Sequence, residues 1–435
     1  MRKLLGIVLV LMMTTACQKH ESNYVNTSDI DLFWEAYDQI ILENDTVKQA
    51  ELLTAMYLSN GSTGLNQIVA ARGYTAEEYI SLINDYPLFW KSIRENTFKS
   101  KHLAGELNEG IAKLEAIYPK LKPAKIYFTI GAMRTNGTTR DSSVLIGSEL
   151  AMADDQTDIS EFSGRSREWL ETYFGANPID GLVLLNVHEY VHTQQNPIAQ
   201  NLLYQVVYEG IAEFASVKAM NVPSDAPAIE FGKNNPGVRE LFEREMFHEK
   251  TYEWMWSSAP NDFGVRDLGY YIGYAIAEIF YENSEDKLAA IETLIELDYS
   301  NQAAIDQFID ETHFFSQPIG DLRHEFETAQ PGVIGIAPFE NNHQEVNHKV
   351  DSITIHFSQP MSYGRNFQYG PLGEEAVVRF KQEIGFSADS TSYTFEIEPL
   401  LPGKQYQLVI GSGFRDRNGL PIKPYLIDFK TRPAE

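Results

Sequence analysis

Two histidines four residues apart, His188 and His192, close an almost wholly apolar stretch (GLVLLNV, 181–187), and this pairing restricts the chain more than any other feature. With ~3.6 residues per turn, both imidazoles of a helix through this stretch point the same way and can share one metal ion. Glu189 lies about 100° further around, beside such an ion rather than on it. A helix this apolar is buried. Two imidazoles and a carboxylate withdrawn from water need partners. The HExxH pattern therefore calls for zinc, with Glu189 able to take a proton from an activated water. The flanks carry helix signals: Asn177 as N-cap, Pro178 at the first helical position, Asp180 in the first turn, and a stop at Asn196-Pro197. They predict a helix over about 178–195.

A hydrolytic zinc site needs a third protein ligand and one open position. The next helical pattern, LLYQVVYEGIAEFASVKAM (202–220), carries Glu209 and Glu213 four residues apart, hence on one face. Two such carboxylates repel unless one binds a cation and the other serves a partner. Glu209 is the expected third ligand and Glu213 the carboxylate that orients a histidine through its free ring N–H; the reverse assignment stays open. Further on, DLGYYIGY (267–274) puts Gly269 and Gly273 on one helical face, where another helix can approach closely, with Tyr270 and Tyr274 on the neighbouring face.

The first residues read as a secretory leader: Met1-Arg2-Lys3, a short apolar run from Leu4 to Met13, then Thr14-Thr15-Ala16-Cys17. The run is too short to span a bilayer. Cys17 is the single cysteine, which excludes a disulfide within one chain. Its position resembles the lipobox of bacterial lipoproteins, with Thr14 where leucine is usual. That resemblance implies a lipid on Cys17 and membrane attachment; Gln18, which is not the aspartate of inner-membrane retention, favours the outer membrane of a Gram-negative envelope. The leaflet is not legible. A net charge of -26 disfavours nucleic acid as a partner, because phosphate binding needs a basic surface.

With 435 residues, 43% of them hydrophobic, the chain has ample core for two or three domains. Residues 1–17 are the expected leader and 18–29 a polar tether. Residues 30–329 form one expected domain: a helical part over 30–121, where DLFWEAYDQIILEN and EEYISLINDYPLFWKSI repeat at helical spacing, and a metal-binding core over 122–329. Within the core, strand-like residues 125–130 and 144–147 flank Asn136-Gly137, a strong turn signal, and predict a hairpin. Residues 155–176 read as a polar connection with one short helix and 221–237 as a loop. Helices are expected over 238–250, 265–283, 285–297 and 301–310. His248, His313 and His324 lack ligand spacing and read as surface histidines. From 330 to 435 the texture changes to about seven short alternating runs, among them SITIHFSQP, TSYTFEIEP and KQYQLVIGSGF, which predict an all-β sandwich. The fold class is α+β.

HEYVH followed by EGIAEF resembles the gluzincins, zinc peptidases whose third ligand is a glutamate on a second helix. Sixteen residues (193–208) separate His192 from Glu209, slightly fewer than in aminopeptidase N-like or thermolysin-like enzymes. A closer resemblance is to bacterial predicted zinc-dependent proteases with HEYxH and EGxAE segments, many of them lipoproteins. It runs from about Ile30 to Phe315, through NGSTGL, GTTRDSSVLIGSEL, HEYVHTQQ and DLGYYIGY. It implies a zincin-like, mostly helical domain with a small sheet, one Zn²⁺ per chain, and hydrolysis of a peptide or protein substrate with Glu189 as general base. It also implies a tyrosine or histidine donor for the oxyanion, for which Tyr271, Tyr270 and Tyr274 are candidates in that order. Zincins pair extended substrate with an edge strand, and 143–150 is the expected edge. HFSQPM, LLPGKQYQLVI, FRDRNGLPI and DFKT resemble a bacterial Ig-like domain, which implies a positioning role or a neighbouring envelope protein as partner. Two other readings stand beside this one: an envelope binding or scaffold lipoprotein without catalysis, and hydrolysis of a polar carbonyl other than a peptide.

Overall fold

Residues 24–198, 201–248, 250–256 and 261–434 are described by the computed structural model; the expected leader with Cys17, and the tether as far as residue 23, lie outside them. The chain divides into two compact units, residues 1–193 and 194–435. The boundary expected at 330 falls inside the second. Both helices and sheets are plentiful, as the α+β reading requires. Among the described residues no helix is long and apolar enough to cross a membrane.

The first unit opens with strand β1 (Val25–Asn26), which pairs in parallel with β2 (Lys125–Thr129), so the chain is already tied into a sheet before residue 30. Helices α1 (Ser28–Ile40), α2 (Thr46–Leu53), α3 (Thr63–Arg72), α4 (Ala76–Asp85), α5 (Pro87–Phe98) and α6 (Ala104–Ile117) follow. Asp45, Ser62 and Thr75 cap α2, α3 and α4 by accepting backbone N–H groups of the first turn. Phe33 is the hub of their core, with ring centroids 5.1 Å from Trp34, 5.3 Å from Tyr57 and 5.2 Å from Trp90. Burying each such ring stabilises the fold by roughly 1.5–3 kcal/mol. The remaining elements are β3 (Gly137–Arg140), β4 (Ser143–Gly147), α7 (Ser148–Ala151), α8 (Gly164–Gly175) and α9 (Leu182–His192).

The sheet order is β1-β2-β4-β3, which corrects two expectations. First, β2 and β4 are not a hairpin: they run parallel, with Ile126 opposite Val144. The hairpin is β3–β4, turning at Asp141 (φ 53°) rather than at Asn136-Gly137. Second, β4 is not the edge. All five of its residues are buried, it is paired on both sides, and the edges are β1 and β3. The helix signal before α9 also resolves differently. Asn177 has φ 51°, and its side-chain oxygen accepts from Asp155 N (2.9 Å) instead of capping, so the helix begins at Leu182.

The second unit begins with α10 (Leu202–Met220), capped by Asn201. Helices α11 (Pro227–Asn234), α12 (Gly237–Glu245), α13 (Thr251–Trp254), α14 (Leu268–Asn283), α15 (Lys287–Ile295), α16 (Gln302–Thr312) and α17 (Ile319–Ala329) follow. The expected loop over 221–237 thus contains α11, which starts on Pro227, a residue preorganised for a first helical turn. Gly273 of α14 meets α10 at Gly210 so closely that a Cβ on either would overlap backbone of the other helix; the small-residue face read from the sequence serves this crossing.

Seven strands complete the chain: β5 (Val333–Ala337), β6 (Ser352–Phe357), β7 (Phe367–Gln368), β8 (Phe380–Phe386), β9 (Ser392–Ile397), β10 (Gln405–Ile410) and β11 (Tyr425–Lys430). They form antiparallel sheets ordered β5-β6-β9-β8 and β11-β10-β7. Ile353, Ile355 and Phe395 of one sheet share a core with Leu408, Ile410 and Phe429 of the other, the arrangement of a sandwich. Outer strand β8 shifts register against β9 twice, between Phe380 and Gln382 and between Glu383 and Gly385. Arg415 of the sandwich donates to His248 O (3.1 Å). His248 is therefore no surface histidine: it is buried, its ring lies 5.5 Å from that of Phe326, and burial, reinforced by Arg415 and Lys250, lowers its pKa to about 4.

Candidate metal centre

Helix α9 carries the HExxH residues in its last two turns, all buried. Its rotation is set from the opposite face: Tyr190 Oη accepts from Ala124 N (2.7 Å) and donates to Lys122 O (3.3 Å), just ahead of β2. Tyr190 stands about 160° around the helix from each histidine, so this anchor holds the imidazoles on the far side. The carboxyl end of a helix favours positive charge, and both histidines lie there.

His188 Nε2 and His192 Nε2 are 3.1 Å apart. Two ring nitrogens aimed at each other this closely need a proton or a cation between them. Nitrogen ligands of zinc at 2.0–2.1 Å in tetrahedral geometry would lie about 3.3 Å apart, so the observed separation fits a shared ion. Glu209 completes the group: one ligand atom from each of His188, His192 and Glu209 lies within 4.8 Å of the others. These three residues could hold a metal ion, and two imidazoles with a carboxylate suit a borderline divalent cation.

Glu213, one turn beyond Glu209, is buried and accepts a short hydrogen bond from Ser224 Oγ. Ser224 Oγ also accepts from Ala226 N (3.0 Å), so Glu213 is joined to the segment leading into α11. The three tyrosines differ in surroundings. The Tyr271 ring lies against Gly232 of α11, and burial raises its hydroxyl pKa, with Arg239 opposing. Tyr270 Oη accepts from Trp256 Nε1 (3.2 Å). Tyr274 is buried edge-on to Phe214 of α10, centroids 5.4 Å apart; burial, with Glu278 and Glu213 adding, pushes its hydroxyl up to about 12. Tyr274, last in the expected order, thus feels Glu213 of α10.

One neighbour of the HExxH residues escapes the sequence reading. Edge strand β3 passes α9 at Gly137, where a Cβ would stand 2.8 Å from Glu189 Oε1. The chain entering β3 is pinned by Glu149, a fully buried carboxylate that accepts from Gly131 N (2.8 Å) and Met133 N (3.1 Å). Burial raises its pKa to about 7 despite these bonds. Just upstream, Tyr57 Oη and Tyr79 Oη both donate to Ile130 O, at 2.7 and 2.9 Å. The signal for this arrangement was present in GTTRDSSVLIG, but Asn136-Gly137 reads as a turn until the strand order is known.

No family model and no curated protein matches the chain. A search of solved structures aligns it with surface layer protein SbsC, domains 1-6, at 12% identity and a TM-score of 0.19, over 77% of this chain and 46% of that one. The chain thus spans under half of that structure's length, and at that score the alignment carries no argument about fold or function.

Proposed function

We propose that the protein is a zinc-dependent peptidase of the bacterial envelope, with a zincin-like catalytic part and an Ig-like sandwich that positions it. The observation that carries this reading is the convergence of His188, His192 and Glu209, with Glu189 buried one residue from the first of them. His188, His192 and Glu209 would hold the ion. A bound zinc supplies Lewis acidity, lowering the pKa of a water and polarising a carbonyl. Glu189 accepts a proton from the attacking water and delivers it to the departing amine nitrogen. A tyrosine of α14 supplies a donor to the oxyanion. A purely structural ion has no use for a buried carboxylate in Glu189's place, and the HExxH spacing supplies one. The leader and Cys17 support a lipid anchor at the outer membrane.

The test is Glu189→Gln assayed beside the wild type on a peptide library, with products identified by mass spectrometry. The variant keeps its zinc and loses hydrolysis by about 10²-fold or more. A variant as active as the wild type removes Glu189 from the reaction.

A further inference from the structure

Gly137 opens β3 without any backbone need for glycine, since its φ is not positive. Space is what sets the residue. A Cβ at 137 would stand 2.8 Å from Glu189 Oε1 and 3.2 Å from its Cδ and Cγ, inside the ~3.5–4.0 Å at which carbon atoms rest against each other. One side must give. The strand is held from several directions: Thr135 Oγ1 donates to Gly137 O (2.7 Å), Gly147 N donates to Asn136 O (3.1 Å), and Asn136 Nδ2 donates to Tyr173 Oη (2.9 Å). Arg72 Nη2 donates to Thr135 Oγ1 (3.2 Å), and Glu149 grips Gly131 and Met133 upstream. The end of the glutamate side chain is the softer party.

We infer that Gly137 is a positioning residue for the reaction proposed above: the side chain it lacks leaves the room in which the Glu189 carboxylate reaches its working place. The inference rests on Glu189 acting as the base. Gly137 holds no ion; it governs where the carboxylate sits beside one. Since an Ala at an unstrained position restricts the unfolded chain, the substitution separates stability from turnover.

The experiment uses full-length Gly137→Ala. Its melting temperature stays level or rises and its zinc content is unchanged. On a peptide the wild type cleaves, kcat falls by about 10²-fold, the scale of a misplacement near 1 Å, while KM stays within about twofold. A crystal structure shows residues 135–140 superposed on the wild type and the Glu189 carboxylate displaced by about 0.5 Å or more. Unchanged kcat, or a shifted strand around an unmoved carboxylate, overturns the assignment. Should Gly137→Ala melt lower, adding Glu189→Asp shortens the crowded side chain and restores the melting temperature; failure to restore it also overturns the assignment. The two readings fail differently. Full activity in Glu189→Gln removes the base and with it the positioning role of Gly137. An inactive Glu189→Gln beside a fully active Gly137→Ala removes Gly137 alone.

Discussion

Glu149 shows how a single buried acid makes a pH-dependent fold. Its carboxyl ordinarily titrates at 4.5 and here titrates at about 7, because burial outweighs the bonds from Gly131 N and Met133 N. Between those values the folded chain keeps a proton that the unfolded chain has released. The contribution of this group is therefore fullest below 4.5 and is lost as pH rises through 7, by roughly 3 kcal/mol. His248, lowered from 6.5 to about 4, gives the opposite slope below 6.5, so the decline is read as the difference in urea stability between wild type and Glu149→Gln, which falls from about pH 5 to about pH 8. A difference between the two proteins that does not fall with pH across that window contradicts the assignment. At this scale the sequence was readable where chemistry repeats at a fixed interval. His188 and His192 sit one turn apart, and the fold does bring Glu209 to them. Glu149 and Gly137 were invisible because their importance comes from partners distant along the chain.

The crossing of α10 and α14 decides what the helix bearing Glu209 tolerates. A Cβ on Gly210 would overlap the backbone of Gly273 and Tyr274, and one on Gly273 would overlap Val206 O. Backbone cannot swing aside as a side chain can. Gly210→Ala and Gly273→Ala each cost about 3 kcal/mol or more and lower the melting temperature by about 5 °C or more, measured by calorimetry. Gly320→Ala in α17 is the control: nothing lies within 4 Å of its Cβ, so the helix is unchanged or strengthened by up to about 1 kcal/mol. An equal loss in all three variants discounts the crossing. Helix α10 was legible to its ends, Leu202 and Met220, because its apolar run is long and Asn201 caps it. The small sheet was not. Strand residues were recognisable as strands, but β2 and β4 pair in parallel through a topology that no local turn signal encodes. The start of α9 was lost to tertiary competition, because Asn177 satisfies Asp155 rather than the helix.

For the whole molecule, an ion bound only by the folded chain adds to its stability by mass action: about 2.7 kcal/mol when free metal is a hundredfold above its dissociation constant. With zinc as the ion of the proposed site, adding it raises the melting temperature of chelator-treated protein, and His188→Ala removes the rise, read by scanning calorimetry and by metal content. Equal melting temperatures with and without zinc in the wild type count against a bound ion. The change to short alternating runs near residue 330 marks the sandwich, yet the sandwich belongs to the same unit as α10 to α17, joined by contacts such as Arg415 to the His248 carbonyl that composition cannot announce. Strand β8 carries a last consequence. A flat rim is a template on which a second molecule can zip its own backbone. Two interruptions in seven residues spoil that template, which counters edge-to-edge pairing of copies along this rim even though Ile384 is exposed there.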